Sequence, residues 1–319
     1  MAQPSLEAEQ ASNPAGAAAP PRHSLSGRLL IASVHILRLL PFAVRSALGY
    51  CVGFVVGLVP TREHHAARLQ LAAFLGNGSR LLVARTFANA GRTLLESLNL
   101  KPMLRKAASR VAAPQWDQVQ SWLSDGRPLV ALTAHTGNWD LLAAYTISRG
   151  VPLTTVGREA RNPAAHQVLC EVREGYGIET IWRSDRSGVK RLLACMKERR
   201  TVAALIDQDT HVESLFVPFF GEPASTPAAL IGLGQKCNAR FVSAFMFRTG
   251  PMRFETFIEE LDSSLPVEEL LAEYNRRLEA LVRRFPNQWV WFHNRWRSRP
   301  GGVRPSFREY LAWLRSKLS

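Results

Sequence analysis

The stretch at residues 128–145, PLVALTAHTGNWDLLAAY, decides the fold of this chain. It starts with a short apolar run, residues 129–134, of the length expected for a buried strand. It ends with a helix-compatible apolar run, residues 141–147. Gly137 and Asn138 lie between the two runs and are natural turn and N-cap residues. The stretch therefore predicts a strand, a tight loop and a helix, with the loop at the strand's carboxyl end, where open α/β sheets bind ligands.

Two residues of this loop region, His135 and Asp140, can form a catalytic pair. A neutral imidazole near pH 7 accepts a proton from a hydroxyl, and a carboxylate on its other ring nitrogen fixes the tautomer and stabilises the imidazolium. The loop before the helix can fold His135 back over Asp140. A pair without its own nucleophile suits acyl transfer from a thioester to a substrate hydroxyl. The alternative is a hydrogen-bonded loop histidine and a carboxylate stabilised by the helix dipole.

Further strand and helix signals alternate along the chain. Strands are predicted at residues 152–156, 179–182, 201–206, 240–248 and 253–258, the last two as an antiparallel pair. Helices are predicted at residues 163–176, 187–199, 225–237 and 266–285, and two more lie within 61–100, broken at Gly76-Asn77-Gly78. This order predicts an α/β fold with a mixed central sheet flanked by helices.

Polar residues follow two of these strands. Arg158 comes directly after the strand at 152–156, and its guanidinium fork fits a phosphate or the oxyanion of a thioester. Asp207 and Asp209 follow the strand at 201–206. Two carboxylates could hold a metal, but no third ligand cluster is evident. The alternatives are hydrogen bonds to Arg158 or to acceptor hydroxyls, and a structural turn pair.

Five motifs in order carry a resemblance to a known family. HTGNWD resembles the H-x4-D/E motif of the glycerolipid acyltransferase superfamily, in the form found in the bacterial lipid A late acyltransferases. The other motifs are GREARNP at 157–163, IDQD at 206–209, FVPFFG at 216–221 with PASTP at 223–227, and QWVWFHNRW at 288–296. The resemblance covers roughly residues 29–300. The chain departs from the family pattern at Asp140, where many members have Glu, and at Asn294, where a basic residue is common.

The resemblance implies a membrane-associated O-acyltransferase at the cytoplasmic face of a bacterial inner membrane. It would move a fatty acyl chain from acyl carrier protein or acyl-CoA to a hydroxyl of an anionic glycolipid, in the first place a lipid A precursor, with another glycolipid or a phospholipid as the alternative acceptor. His135 would be the general base, oriented by Asp140, with no metal or further cofactor. The implied substrate-binding residues are Arg158, Arg161, Asn162, Asp207, Asp209, Ser225 and Thr226.

The net charge of the chain indicates which classes of molecule it binds. A formal net charge of +14 over 319 residues implies an anionic partner, which is a nucleic acid, an acidic protein or an anionic membrane. No helix-turn-helix, RNP or KH motif supports nucleic-acid binding. No GxSxG elbow supports an ester hydrolase. The four cysteines are scattered without CxxC pairing, which is typical of neither a zinc site nor a disulfide framework.

The N-terminal region predicts a tail and an anchor ahead of the acyltransferase domain at residues 61–319. Residues 1–24 have the composition of a disordered tail. Residues 25–60 are mostly apolar and predict a membrane-anchoring or interfacial helical segment, as one transmembrane helix over 39–59, an interfacial pair or a buried core helix. Gly49, Gly53 and Gly57 allow close helix contact in a membrane or in a core.

Overall fold

The structure, a computed structural model, describes residues 24–318. The helices are α1 (Leu25–Leu39), α2 (Phe42–Leu58), α3 (Arg62–Leu75), α4 (Arg80–Ser97), α5 (Lys101–Leu104), α6 (Ala107–Arg110), α7 (Trp116–Ser124), α8 (Trp139–Ser148), α9 (Pro163–Glu174), α10 (Gly188–Lys197), α11 (Ala229–Lys236), α12 (Val267–Arg284) and α13 (Phe307–Ser316). The strands are β1 (Val111–Ala112), β2 (Leu129–Thr133), β3 (Leu153–Gly157), β4 (Glu179–Trp182), β5 (Thr201–Leu205), β6 (Ser214–Phe219), β7 (Glu222–Pro227), β8 (Arg240–Gly250) and β9 (Arg253–Leu261).

Seven strands form a mixed central sheet in the order β1-β9-β8-β2-β5-β3-β4. Strands β8, β2, β5, β3 and β4 run parallel, whereas β9 is antiparallel to β8. Strands β6 and β7 form a separate antiparallel hairpin. The predicted mixed α/β sheet flanked by helices is confirmed, as is the antiparallel pair near the carboxyl terminus.

Both faces of the central strands are buried, each in a hydrophobic core of its own. Alternate side chains along a strand belong to different cores. Val130 and Leu132 of β2 belong to the core that also contains residues of α11 and α12. Leu129 and Ala131 belong to the core that contains residues of α7 and α8. Since successive side chains of a strand point to opposite faces, the continuous apolar run of β2 serves both cores.

Residues 25–60 form a pair of helices, α1 and α2, as one of the three predicted alternatives has it, and α2 occupies most of residues 39–59. Helix α1 ends at Leu39 and α2 begins at Phe42, because Pro41 cannot continue a helix and disfavours helical backbone in the residue before it. The buried Arg45 guanidinium donates to the main-chain oxygens of Arg38 and Leu40 at this break. The break is therefore a stabilised corner.

The three glycines of α2 form the surface that packs on α4. A Cβ on Gly49 would lie 2.5 Å from the main-chain oxygen of Gly91, and one on Gly53 would lie 2.3 Å from that of Phe87. Close backbone approach, which the glycine spacing predicted, is therefore confirmed between α2 and α4. The opposite face of α2 carries exposed valines, including Val52 and Val55.

Helices α1, α2 and α3 contain 15, 17 and 14 residues. Among residues 24–318, no single helix is long and apolar enough to cross a membrane. Helices α2 and α3 satisfy the length and hydropathy criteria only together, and they are bent by 86° relative to each other. The predicted tail at residues 1–24 lies outside the described residues except for Ser24, which caps α1.

The helix predicted over residues 225–237 is wrong in its first turn. Residues 222–227 form β7, and Ser225 pairs with Phe216 across the hairpin. Helix α11 begins only at Ala229, because prolines at 223 and 227 cannot lie in a helix interior without losing a hydrogen bond. Residues 218–227 therefore contain the end of β6, a turn and β7.

Candidate active site

Sheet register brings His135 opposite Asp207. Thr133 of β2 pairs with Leu205 of β5, so the residues two positions beyond each strand face one another at the carboxyl edge of the sheet. The imidazole Nδ1 lies 2.8 Å from Asp207 Oδ1, and the main-chain N–H of His135 donates to Oδ2 at 2.9 Å. Asp207 is fully buried, whereas the His135 side chain is 24% exposed. The pair is thus a buried carboxylate holding a histidine that substrate can reach.

The charge on Asp207 sets the histidine tautomer. Burial alone would raise the pKa of Asp207, but the facing His135 and the hydrogen bonds to the carboxylate lower that pKa to about 2. A carboxylate only accepts hydrogen bonds, so Nδ1 of His135 carries a proton and donates. Nε2 is then the nitrogen that can accept a proton from a substrate hydroxyl.

The second oxygen of Asp207 is held by Trp289, a residue that the sequence reasoning missed. The indole Nε1–H donates to Asp207 Oδ2 at 2.8 Å, and Trp289 is buried. Its backbone also pairs with Thr136, one residue past His135. The two partners lie 82 residues apart in the chain, so no local pattern marks the contact. Trp289 therefore fixes the carboxylate and the loop together.

Asp140 does not orient His135. It lies in the first turn of α8, which Asn138 caps by accepting from the main-chain N–H of Leu141 at 2.9 Å. Within residues 24–318 the hydrogen-bond partner of the imidazole is Asp207, and no hydrogen bond joins Asp140 to His135. The carboxylate at Nδ1 is that of Asp207 and not that of Asp140, because the parallel pairing of β2 and β5 brings Asp207 there.

Gly137 shapes the loop between His135 and α8. Its backbone has φ +49°, and a Cβ there would lie 2.2 Å from the main-chain oxygen of Met246. Its N–H donates to the Gln288 carbonyl at 2.8 Å, and its carbonyl accepts from the Thr93 hydroxyl. A side chain at this position would push the loop away from β8, so the glycine is required for the close approach.

A buried carboxylate, Glu96 of α4, supports the same loop from beneath. It accepts from Asn138 Nδ2 at 2.9 Å, from Ser46 Oγ at 2.6 Å and from the Arg248 guanidinium at 2.6 and 2.7 Å. These contacts join the loop to α2 and β8. With both oxygens hydrogen-bonded and its charge paired, Glu96 stabilises the loop without being exposed to substrate.

Asp209 and His293 form a structural pair beside the site. Asp209 accepts from the main-chain N–H of Ser298 at 2.8 Å and pairs with Arg304 at 3.1 Å. Its own N–H donates to His293 Nε2 at 2.8 Å. Burial lowers the pKa of His293 to about 4, so its ring is neutral and occupied as an acceptor. Asp209 therefore holds the C-terminal segment and does not contact Arg158.

Ser225 and Thr226 anchor a buried arginine rather than line the pair. Both are buried in β7. The Arg295 guanidinium donates to the Ser225 carbonyl and to Thr226 Oγ1, the latter at 2.7 Å. Thr226 Oγ1 is therefore hydrogen-bonded within the fold, and both side chains are buried, while their predicted role in binding substrate stays a prediction.

The arginine block after β3 divides into an exposed part and a helix cap. Arg158 and Arg161 are exposed. Asn162 caps α9, since its side-chain oxygen accepts from the main-chain N–H groups of Ala164 and Ala165 at 2.9 and 3.1 Å. Of the three predicted binding residues, the two arginines are therefore available to a ligand. No group of three or more metal-ligating side chains occurs among residues 24–318.

A narrow apolar cavity of about 80 Å³ lies beneath α8. Trp139 and Asp140 from the loop–helix junction line it, and Leu129, Ala131 and Leu153 from the sheet face it. The Trp139 ring also stacks edge-on against His135, with ring centroids 5.1 Å apart. The cavity is thus an apolar space one side chain, Trp139, away from His135, and Asp140 is part of its wall.

Comparisons with known proteins identify the family of this chain. The model of the bacterial lipid A biosynthesis acyltransferase family matches residues 21–298. A phosphatidylinositol mannoside acyltransferase of Mycolicibacterium smegmatis is 24% identical over 186 residues, which cover 56% of this chain and 60% of that protein. A lipid A biosynthesis acyltransferase of Haemophilus influenzae is 21% identical over 281 residues, 84% of this chain and 86% of that protein. The chain belongs to the bacterial lipid A biosynthesis acyltransferase family.

Proposed function

We propose that this protein is an O-acyltransferase that moves a fatty acyl chain from a thioester to a hydroxyl of a membrane glycolipid. The His135–Asp207 pair carries this proposal. It supplies a base with its tautomer fixed by a buried carboxylate, and among residues 24–318 no serine or cysteine is hydrogen-bonded to the imidazole. The attacking oxygen is therefore that of a bound acceptor, and membership of the acyltransferase family supports the same reaction class.

The reaction uses His135 first as a base and then as an acid. Nε2 takes the proton of the acceptor hydroxyl as its oxygen attacks the thioester carbonyl carbon. The tetrahedral intermediate collapses, the carbon–sulfur bond breaks, and the leaving thiolate takes the proton back from the imidazolium. Asp207 stabilises the imidazolium between the two steps and is not itself protonated. The products are an ester of the acceptor and a free thiol.

The apolar cavity beneath α8, at about 80 Å³, suits a short part of the donor's acyl chain. Trp139, whose ring contacts that of His135, is among its lining residues, and most of the others are aliphatic. Burying a chain there is worth about 0.8 kcal/mol per CH2 group. The donor is acyl carrier protein or acyl-CoA, both of which are anionic and complement a chain of net charge +14.

Helices α1 and α2 suit a membrane surface. The glycine face of α2 is buried on α4, and α1 packs on α9. Large apolar side chains of this region are exposed, among them Leu29, Ile36, Leu39, Val52, Val55 and Val59. Exposed apolar surface of this extent marks an interaction site, and basic side chains around it favour anionic lipid. We place the protein on the cytoplasmic face of a bacterial inner membrane, anchored at this surface.

The acceptor is an anionic glycolipid, and a lipid A precursor is our first choice. The match to the Haemophilus influenzae protein extends along most of both chains, which supports that choice. A mannosylated phosphoinositide is the second candidate, supported by the mycobacterial relatives. The two acceptors share a sugar hydroxyl and a phosphate, so the same base and the same arginines would serve either.

A transfer assay tests the function. Purified protein is incubated with each acceptor and with a donor, acyl-CoA or acylated acyl carrier protein, whose acyl chain is radiolabelled. The labelled lipid is then identified by mass spectrometry. His135→Ala should lower transfer by about 10²–10⁴, the usual contribution of a general base. The matched control is His65→Ala, because His65 is exposed on α3. Unchanged transfer by a folded His135→Ala protein would remove the proposed base.

A further inference from the structure

An open apolar groove lies on the sheet face opposite the α8 cavity. Its floor is formed by Val156 of β3 with Ala204 and Ile206 at the end of β5, and Val156 and Ala204 are direct partners in the sheet. Its walls are Leu192 of α10 and Leu230 and Leu233 of α11, and its volume is about 630 Å³. We refer to this space as the α10–α11 groove.

The groove floor is recessed, because Val156 is half-buried and Ala204 and Ile206 are 7% and 3% exposed. Strands of a parallel sheet are normally covered on both faces, and β3 and β5 are covered by helix on the α8 side. On the other side the chain runs from β5 into the hairpin strand β6 with no intervening helix. Val189 and Val212 at the rim are 64% and 37% exposed. A contiguous apolar surface of this kind marks a ligand site.

The groove reaches the same catalytic edge as the α8 cavity. Ile206 on its floor directly precedes Asp207. Leu205 lines both spaces, because it is the last residue of β5, where the sheet ends. Two apolar spaces therefore flank one sheet, and the His135–Asp207 pair lies where both approach the carboxyl edge.

Arg183 lines the groove, and Arg158 is exposed at the end of the neighbouring strand. The main-chain N–H of Arg183 donates to the Gly157 carbonyl at 3.0 Å, which places Arg158 and Arg183 at the ends of the adjacent parallel strands β3 and β4. Burial and the positive charge of Arg158 lower the pKa of Arg183. Neither guanidinium forms a salt bridge within residues 24–318. Other charges at the rim are Lys236, Glu213 and Asp185, and Asp185 is paired with Arg191.

We propose that the α10–α11 groove binds an acyl chain of the anionic lipid acceptor, with the lipid phosphate held by Arg158 and Arg183. The inference rests on the proposed function, since it gives the acceptor a place distinct from that of the donor. The recessed aliphatic floor recognises the chain, and the two guanidinium groups complement the phosphate. The acceptor hydroxyl then approaches His135 from the face opposite the donor chain.

Gly232 allows the groove to be filled without straining the fold. It lies on α11 and lines the groove, and a Cβ built on it meets no atom within 4 Å. Gly232→Trp therefore places an indole in the groove. Gly232→Ala is the matched control, because it adds only a methyl group and favours the helix by about 1 kcal/mol.

Photolabelling tests the proposal without requiring acyl transfer. The probe is phosphatidic acid with a diazirine on one acyl chain, incorporated in phosphatidylcholine vesicles, and labelled peptides are mapped by mass spectrometry. We expect labelling of residues 188–197 and 229–236, reduced by about tenfold or more in Gly232→Trp since several CH2 contacts are lost. Gly232→Ala should label as the wild type does. Labelling unaffected by Gly232→Trp, or confined to α8, would overturn the proposal.

Two further experiments are needed. One tests the role of the phosphate separately from that of the acyl chain, and the other distinguishes a lipid ligand from a protein partner. The double variant R158Q/R183Q should lower labelling by phosphatidic acid but not by diacylglycerol with the same diazirine. Equal labelling by both probes in the variant and the wild type would overturn the role of the arginines. If Gly232→Trp abolishes binding of acyl carrier protein and leaves lipid labelling intact, the groove docks a protein instead. Labelling as expected without any transfer activity would reject the proposed function alone.

Discussion

Two aspartates one residue apart, Asp207 and Asp209, each contact a histidine, yet only one pair suits catalysis. Asp207 accepts from the Nδ1 side of His135, whose ring remains partly exposed. Asp209 instead donates its main-chain N–H to Nε2 of His293, which is buried and neutral. Residue types and proximity therefore do not define a catalytic pair. What matters is which ring nitrogen remains available and whether substrate can reach it.

The largest expected difference in kcat is between the variants Asp207→Asn and Asp209→Asn. Asp207→Asn removes the charge that stabilises the imidazolium and fixes the tautomer, so kcat should fall by about 10³–10⁴. Asp209→Asn weakens the ion pair with Arg304 and should cost about 1–3 kcal/mol of unfolding free energy, with kcat little changed. Steady-state kinetics and urea unfolding measure the two quantities. Equal losses of kcat in both variants would contradict the distinction.

A smaller difference in kcat is expected between Trp289→Phe and Trp291→Phe. Trp289→Phe removes the donor to Asp207 Oδ2, so the carboxylate becomes more mobile and its pKa rises from about 2. We expect kcat to fall about tenfold, the equivalent of one hydrogen bond of about 1.4 kcal/mol, with KM unchanged.

The control for that prediction is Trp291→Phe. Trp291 is equally buried, but its indole donates to the Pro286 carbonyl and not to the site. Both variants should lose stability to a similar extent, as measured by thermal unfolding. A comparable fall of kcat in Trp291→Phe would mean that general loosening, and not the hydrogen bond, lowers the rate.

The smallest effect on activity concerns His293, whose contribution is to stability and depends on pH. Its pKa falls from 6.5 to about 4 on folding, so the unfolded chain binds more protons between these values. Stability from this group is therefore present above pH 6.5 and is lost as pH falls towards 4. His293→Gln keeps an acceptor for the Asp209 N–H but does not titrate.

Urea unfolding at pH 7 and pH 4.5 measures this contribution. The wild type should lose about 2–3 kcal/mol more than His293→Gln over that interval. At pH 7 the variant should retain nearly wild-type kcat, because His293 does not contact the reacting atoms. Identical pH dependence of the two proteins would show that His293 is already protonated or exposed in the fold.

Sequence reasoning was most successful where local chemistry decides. The strand, turn and helix around HTGNWD follow from an apolar run, a glycine and an N-cap asparagine, and the structure confirms all three. It failed at β7, where pairing with β6 overrides a small-residue pattern typical of a helix. Nothing local reveals that Arg295, 69–70 residues away, donates to the Ser225 carbonyl and to Thr226 Oγ1.

The α/β class, the acyltransferase motifs and the choice of His135 as the proposed base follow from the sequence, because they depend on periodicity and on residue chemistry along short segments. Only the tertiary structure decided that Asp207 and not Asp140 holds His135. That choice depends on the register of β2 against β5 and on Trp289 reaching Asp207 from the C-terminal segment. Register and long-range contacts arise when the whole core packs, so no short stretch of the chain encodes them.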